Sequence, residues 1–183
     1  MMERYEIRLS GSGGQGLILA GKILAEAVAI YDRRNAVQTQ SYGPEARGGA
    51  SRAEVVISDG EIDYPKAMRL DLLLSLTQVS CTKYAGDLKK DGILIVDSEA
   101  VTEIPQGDFK VYRTPIMEIA VEQVGKAVVA NIVALGIMTA ISGVVSEESM
   151  EKAILARVPK GTEELNMKAF RMGLETGRSL VAG

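Results

Sequence analysis

The stretch Ser10-Gly11-Ser12-Gly13-Gly14-Gln15-Gly16 decides the fold of this chain. Residues 5–9 before it predict a first strand, and residues 17–31 after it predict an apolar, mostly buried helix. Glycines let a ligand approach the backbone closely, and a helix N-terminus presents unpaired N–H groups. We therefore interpret the loop as an anion-binding cradle, with a tight turn of purely structural role as the alternative.

The composition predicts one globular domain over residues 1–183, with a formal net charge of −3. The absence of histidine and the single cysteine, Cys81, exclude histidine-based catalysis, iron–sulfur clusters and cysteine zinc sites built by this chain alone. An acidic balance argues against binding of nucleic acid. The first residues do not resemble a signal peptide, and the most apolar later segment, 127–143, predicts a buried helix rather than a membrane span, so we expect a cytoplasmic protein.

The remaining pattern predicts an α/β fold with a mixed, mostly parallel sheet flanked by helices and a helical C-terminal third. Five further strands are predicted, at residues 36–42, 51–58, 71–77, 93–96 and 110–112. The second and third strands are joined by about seven residues, which is too short for a parallel crossover, so they should be antiparallel if they pair. Thr114 is predicted to cap a helix whose first residue is Pro115.

Gly11, Gly13 and Gly16 satisfy the G-x-G-x-x-G pattern of dinucleotide sites, with a strand before it and a helix after it. An acidic residue should end the second strand to bind a ribose, but that strand ends Thr39-Gln40-Ser41-Tyr42. The short second connection also interrupts the usual βαβ unit. The pattern therefore favours an anion other than a nicotinamide or flavin dinucleotide.

A second loop, Gly43 to Gly49, follows the second strand and should lie at the same sheet edge as the glycine loop. Its Arg47 carries a guanidinium suited to phosphate or carboxylate, although Glu45 could simply pair with it in a solvated turn. Asn131 lies within an apolar helix and is predicted to be a satisfied core residue that bonds to a nearby loop. Asp97 and Glu99 follow a strand end, but their spacing assigns no acid–base pair.

Several of these motifs together resemble the gamma subunits of 2-oxoacid:ferredoxin oxidoreductases over almost the whole chain. The motifs are Gly13-Gly14-Gln15-Gly16, Thr39-Gln40-Ser41-Tyr42-Gly43-Pro44-Glu45-Ala46-Arg47-Gly48-Gly49, Ser58-Asp59, Ile62-Asp63-Tyr64-Pro65, and Asn131 with Leu135-Gly136. The block from Tyr42 to Gly49 is the most specific of them. The resemblance implies a Rossmann-like fold.

The resemblance also implies an activity, oxidative decarboxylation of a 2-oxoacid with coenzyme A to acyl-CoA, CO2 and reduced ferredoxin. It favours 2-oxoglutarate over pyruvate and branched-chain oxoacids. Thiamine diphosphate and Fe–S clusters are expected on the beta and delta partners, alongside an alpha subunit. This chain is expected to bind no cofactor by itself, to be inactive alone, and to support assembly and help accommodate coenzyme A.

By position in these motifs, the candidate binding residues are Gly13, Gly14, Gln15, Gly16, Tyr42, Glu45, Arg47, Gly48 and Gly49. The first four are expected to offer backbone contacts to a phosphate or a partner loop. Arg47 is the candidate for charge pairing, with Tyr42 and Glu45 ordering its loop. No residue is proposed as a catalytic group or metal ligand. Two alternatives remain, an independent nucleotide-binding Rossmann-like enzyme and a scaffold subunit that binds no small molecule.

Overall fold

The structure is a computed structural model that describes residues 3–41 and 50–183. The strands of this part of the chain are β1 (Tyr5–Ser12), β2 (Asn35–Ser41), β3 (Ala50–Ser58), β4 (Leu70–Ser75), β5 (Leu88–Asp97) and β6 (Lys110–Thr114). The α-helices are α1 (Leu17–Glu26), α2 (Gln78–Tyr84), α3 (Ile116–Glu118), α4 (Ala130–Ser142), α5 (Glu147–Arg157) and α6 (Glu163–Ala182). Two of the helices continue as π-helical turns, α1 through Ala27–Tyr31 and α3 through Ile119–Val124.

The described strands form one sheet in the order β2-β3-β1-β4-β5-β6. The strands β1, β4, β5 and β6 pair in parallel, whereas β3 runs antiparallel to both of its neighbours. The mixed, mostly parallel sheet and the antiparallel β2–β3 pair are therefore confirmed. Because β3 separates β2 from β1, the first two strands do not form the adjacent pair of a dinucleotide-binding unit.

Helices cover the two faces of the sheet unequally. On one face, α1 packs against β1 and β3, and α4, α5 and α6 complete the same core, which includes Ile7, Leu9 and Leu74. On the other face, α2 packs Cys81 and Tyr84 against the strands. The neighbouring parallel strands β1 and β4 thus send their following helices to opposite faces. This reversal is the topological switch point at which α/β folds form a crevice.

Close contact between α4 and α6 fixes the helical C-terminal third. Residues Ala130 to Thr139 of α4 are all buried, which confirms the predicted buried helix. A Cβ added to Gly136 would lie 2.4 Å from the carbonyl oxygen of Phe170, and one added to Gly173 would lie 2.2 Å from that of Val133. The glycines are therefore required for this backbone approach. Within residues 3–41 and 50–183, no helix is both long and apolar enough to cross a membrane.

The predicted helix cap at Thr114 is wrong. Thr114 is the last residue of β6, and its carbonyl accepts a hydrogen bond from the Ser98 N–H at 3.0 Å. Pro115 takes the capping position instead. The carboxylate of Asp97, at the end of β5, accepts a hydrogen bond from the Met117 N–H at 2.9 Å. Because Thr114 is paired within the sheet, Asp97 accepts the free N–H group at the start of α3 in its place.

Candidate functional site

The carboxyl ends of β1, β4, β5 and β6 surround a crevice at the switch point. A cavity of about 320 Å³ opens there, walled by Gln15, Leu76, Asp97, Glu99, Ile116 and Met117. Each of these residues lies at the carboxyl end of a parallel strand or shortly after it. The fold therefore places the glycine loop after β1 where α/β proteins bind ligands.

The glycine loop has a backbone that only glycine adopts easily. Gly14 has φ +86° and Gly16 has φ +72°, both left-handed. Gly16 occupies the capping position of α1, and the first turn of that helix carries no acidic residue. Because glycine has no side chain to cap the helix, the first N–H groups of α1 are available to an external acceptor. This geometry suits an anion.

Gln15 folds back over the loop that contains it. Its Oε1 accepts a hydrogen bond from the Ser12 N–H at 2.7 Å. A Cβ on Gly11 would lie 2.2 Å from the same Oε1 atom, so Gly11 makes room for the glutamine side chain. The first glycine of the sequence pattern is thus explained by packing within the loop, and the Ser12 N–H is already satisfied.

Asn131, at the start of α4, holds the other end of the loop. Its Nδ2 donates to the carbonyl oxygen of Gly16 at 3.0 Å, and its side chain is buried, with 4% of the residue exposed. A Cβ on Gly16 would lie 2.5 Å from Nδ2. The prediction that Asn131 is a satisfied core residue bonded to a nearby loop is confirmed.

Two more cavities border the glycine loop. One, of about 340 Å³, is lined by residues 12–19 and Ser51. The other, of about 260 Å³, is mostly apolar and lies between Gly14, Leu19, Val158 and Leu165. Residues of the stretch Gly14 to Gly16 contribute to the walls of all three cavities. The loop is therefore the element that the cavities share.

The second predicted loop, Gly43 to Gly49, lies outside the described residues, whereas the strands on either side of it are described. Tyr42, Glu45, Arg47, Gly48 and Gly49 lie outside the described residues. The flanking strands end at the edge that carries the glycine loop, since Ser41 pairs with Arg52 and Ala50 pairs with Ser12. Ser41 and Ala50, the described residues on either side of the segment, therefore lie at this edge, and the position of the segment itself stays a prediction.

Asp97 has a structural role that the sequence did not reveal. It is buried, and its Oδ1 accepts hydrogen bonds from the N–H groups of Glu99 at 2.9 Å and Ala100 at 3.1 Å. Its Oδ2 caps Met117 across the sheet edge. These bonds join the loops after β5 and β6. Asp97 therefore shapes one wall of the crevice.

A buried ionic group lies under the opposite face of β1. Arg8 donates from Nε to Glu54 at 2.6 Å and from Nη1 to Asp87 at 2.5 Å. Its guanidinium lies 4.8 Å from the centre of the Tyr84 ring. The pairing follows from the β1–β3 register, in which Arg8 and Glu54 are direct neighbours. This group anchors β3 and α2 to β1.

The described residues offer little reactive chemistry. Cys81 is buried, and burial raises the pKa of its thiol, so the thiolate nucleophile is disfavoured. Across residues 3–41 and 50–183, no group of three or more cysteines, aspartates and glutamates is arranged to hold a metal ion. The site instead offers backbone donors, one glutamine and an apolar cavity, which suits binding.

Fold and site together define a Rossmann-like α/β domain with a glycine loop at the switch point. The family model described as pyruvate ferredoxin/flavodoxin oxidoreductase matches residues 6–176, and the chain belongs to this family. The resemblance drawn from the sequence motifs is therefore confirmed.

The chain is 54% identical to the 2-oxoglutarate synthase subunit KorC of Methanocaldococcus jannaschii, covering 97% of this chain and 96% of that protein. A keto/oxoacid ferredoxin oxidoreductase gamma subunit from Geobacter sulfurreducens superposes with a TM-score of 0.88 at 56% identity, covering 96% of this chain and 99% of that one. Both relatives are named as subunits, and this chain is a gamma-type subunit of an oxidoreductase.

A more distant structure shares the fold within a longer chain. It is the 2-oxoglutarate:ferredoxin oxidoreductase of Magnetococcus marinus, solved with 2-oxoglutarate, coenzyme A and succinyl-CoA bound. Its TM-score is 0.83 at 19% identity, covering 98% of this chain and 32% of that one. At this identity the likeness concerns the fold alone.

Proposed function

We propose that this gamma-type subunit serves an oxidoreductase that converts 2-oxoglutarate and coenzyme A to succinyl-CoA and CO2 while reducing ferredoxin. The identity of 54% to a 2-oxoglutarate synthase subunit, over nearly the full length of both chains, supports 2-oxoglutarate as the oxoacid. Thiamine diphosphate held by a partner subunit would supply the chemistry for decarboxylation, and ferredoxin would accept the electrons of the subsequent oxidation. The complex is proposed to work in the cytoplasm.

The role proposed for this chain is to help accommodate coenzyme A and to complete the assembly. The observation that carries the proposal is the glycine loop, whose left-handed Gly14 and Gly16 leave the first N–H groups of α1 uncapped beside three cavities. Coenzyme A carries phosphates, which such a helix end attracts, and a long arm with apolar and amide groups. Arg47 is the proposed second contact to phosphate, on the sequence motif alone.

The residues of this chain do not fit the other groups that the reaction needs. Iron–sulfur clusters need several thiolates, and the chain has one cysteine, which is buried. Nothing in the sequence matches a thiamine diphosphate motif. We therefore assign thiamine diphosphate and the clusters to the beta and delta partners, which act with an alpha subunit, and we expect the isolated chain to be inactive.

Reconstitution tests the assignment. Partner subunits should be purified with and without this chain and assayed for ferredoxin reduction that depends on both 2-oxoglutarate and coenzyme A. We expect activity only in the complete complex, with a higher kcat/KM for 2-oxoglutarate than for pyruvate or 2-oxoisovalerate. Equal activity without this chain would refute the subunit role, and a preference for pyruvate would refute the substrate.

Charge at Gly14 tests contact with coenzyme A. Aspartate and asparagine both tolerate left-handed backbone better than other residues, so Gly14→Asp and Gly14→Asn form a matched pair. A carboxylate beside a bound phosphate should raise the KM for coenzyme A about tenfold or more over the Asn variant, with the KM for 2-oxoglutarate unchanged. Equal KM values in the two variants would remove the support for a phosphate at this loop.

A scaffold role without a ligand is favoured by one observation. Val128 is 75% exposed at the mouth of the apolar cavity, which suits contact with a partner subunit. Val128→Asp separates the two roles. If the edge serves only as an interface, this variant should impair co-purification with the partners, while the Gly14 pair should leave the KM for coenzyme A unchanged.

Calorimetry of the isolated chain with NAD or NADP tests the remaining alternative of an independent nucleotide-binding enzyme.

A further inference from the structure

Asn131 contacts the glycine loop at a single backbone group. The carbonyl oxygen of Gly16 accepts the Ala20 N–H at 3.0 Å, as the first hydrogen bond of α1 requires, and it also accepts Asn131 Nδ2 at 3.0 Å. The first bond is sufficient for the helix. The second uses the remaining lone pair of the same oxygen and joins the loop to α4, which lies 115 residues further along the chain.

Asn131 also fills the space that a side chain at position 16 would need. A Cβ on Gly16 would lie 2.5 Å from Nδ2 and 3.0 Å from Cγ of Asn131. The asparagine Oδ1 accepts the Ile132 N–H at 2.9 Å, so both ends of the amide are engaged and its orientation is set. The amide therefore holds Gly16 on one side while α1 holds it on the other.

The helix that carries Asn131 is a rigid support. All residues from Ala130 to Thr139 are buried, and Gly136 and Gly173 bring the backbones of α4 and α6 into contact. A side chain fixed to such a helix can hold a loop more firmly than a residue on another loop can. Asn131 also borders the apolar cavity together with Gly14 and Gly16.

We infer that Asn131 is the positioning residue of the glycine loop, holding Gly16 so that the N–H groups at the start of α1 face the bound phosphate of coenzyme A. The inference rests on the proposed contact between this loop and coenzyme A. Asn131 acts through Gly16 and makes no contact with the reacting atoms.

The test compares Asn131→Ala with Thr139→Val in the complete complex. Thr139 is buried on the same helix and donates only to the Leu135 carbonyl of its own helix, at 2.7 Å, so it controls for loss of a buried hydrogen bond in α4. We expect Asn131→Ala to raise the KM for coenzyme A about five- to tenfold, the factor that loss of one hydrogen bond usually brings. The kcat at saturating coenzyme A and the KM for 2-oxoglutarate should stay near wild type. Thr139→Val should leave all three unchanged.

A second variant covers failure of assembly. Asn131→Leu keeps the branched shape and the neutral charge of the side chain but cannot donate to Gly16, so it decides the question if Asn131→Ala does not assemble. An unchanged KM for coenzyme A in the Asn131 variant that assembles, with a raised KM in Gly14→Asp relative to Gly14→Asn, would overturn the positioning role and leave the proposed function standing. If neither position affects this KM, the proposed contact itself fails, and the positioning role fails with it.

Discussion

Arg8 and Glu54 face each other across β1 and β3, with Arg8 Nε 2.6 Å from Glu54 Oε2 and both side chains more than 90% shielded from solvent. Asp87 lies on the other side of the guanidinium and is much more exposed. A charge this well shielded is stable only while its partners remain. The pair thus links the antiparallel strand β3 to the parallel part of the sheet.

Removal of Glu54 should therefore destabilise the fold strongly. Glu54→Ala leaves Arg8 buried without its shielded carboxylate partner, although Asp87, the Ala67 carbonyl and the Tyr84 ring remain, and we expect a loss of roughly 3 kcal/mol in the free energy of unfolding. Urea denaturation of the purified chain measures it. Lys152→Ala breaks the exposed pair with Glu148 and should have little effect. A similar loss in both variants would contradict the special role of the buried pair.

Asp32 should make the stability depend on pH. Burial opposes its charged form, but hydrogen bonds from Ser149 and Ser146 and the charge of Arg34 outweigh burial and hold the pKa of this carboxyl below its ordinary value of 3.8. A lowered pKa in the folded state means that the stabilisation is fully present above the ordinary pKa. It is lost as the pH falls from there through the folded-state pKa.

The variant Asp32→Asn isolates this contribution. The wild-type Tm should exceed the Tm of the variant at neutral pH, and the difference should shrink as the pH falls below about 4. Thermal unfolding of both proteins between pH 3 and pH 7 gives the comparison. A difference in Tm that stays constant over this range would show that the charge of Asp32 is not responsible.

The contact between α4 and α6 should not tolerate a methyl group. Gly173→Ala places a Cβ 2.2 Å from the Val133 carbonyl oxygen, so the helices must separate, and we expect a loss of about 2 kcal/mol in the free energy of unfolding. Gly86→Ala is the matched control because a Cβ there would meet no described atom within 4 Å. Equal stability of the two variants would mean that the helices adjust without cost.

Gln78 should hold the long connection between β5 and β6. Its Oε1 accepts the N–H groups of Thr102 and Glu103, both at 3.0 Å, and its Nε2 donates to the Glu103 carbonyl at 2.9 Å. In Gln78→Ala we expect faster hydrogen exchange at the two amides, by about tenfold, since each loses its acceptor. The exposed Gln123→Ala should leave their exchange unchanged. Unaltered exchange in the Gln78 variant would show that other contacts suffice.

The sequence predicted the features that local patterns encode. Apolar runs and alternation located the strands, and the short connection after β2 predicted its antiparallel pairing with β3. A single amide in an apolar helix predicted that Asn131 bonds to a loop, because a buried polar group needs a partner. The position of the glycine loop at the sheet edge was also predicted from a local pattern, since a strand precedes the loop and a helix follows it.

Features that depend on pairing between distant residues could not be predicted in this way. The bond from Met117 to Asp97 spans 20 residues, and the Arg8–Glu54 pair spans 46. Each exists because the sheet register brings the two residues together, and register is not written in a local pattern. The same limit explains the wrong cap at Thr114. The binding roles of all nine candidate residues stay predictions, namely those of Gly13, Gly14, Gln15, Gly16, Tyr42, Glu45, Arg47, Gly48 and Gly49.

Gly14 and Gly16 line two of the cavities, and this shared wall has a thermodynamic consequence. If a partner subunit occupies the apolar cavity and coenzyme A occupies the cavity lined by residues 12–19, both contact the same backbone at Gly14 and Gly16. If the partner subunit changes the affinity for coenzyme A by some factor, coenzyme A must change the affinity for the partner subunit by the same factor, because the free energies around a closed binding cycle sum to zero. We expect coenzyme A to tighten or loosen subunit association by the factor by which association changes its own affinity, which titrations of each in the presence of the other would measure.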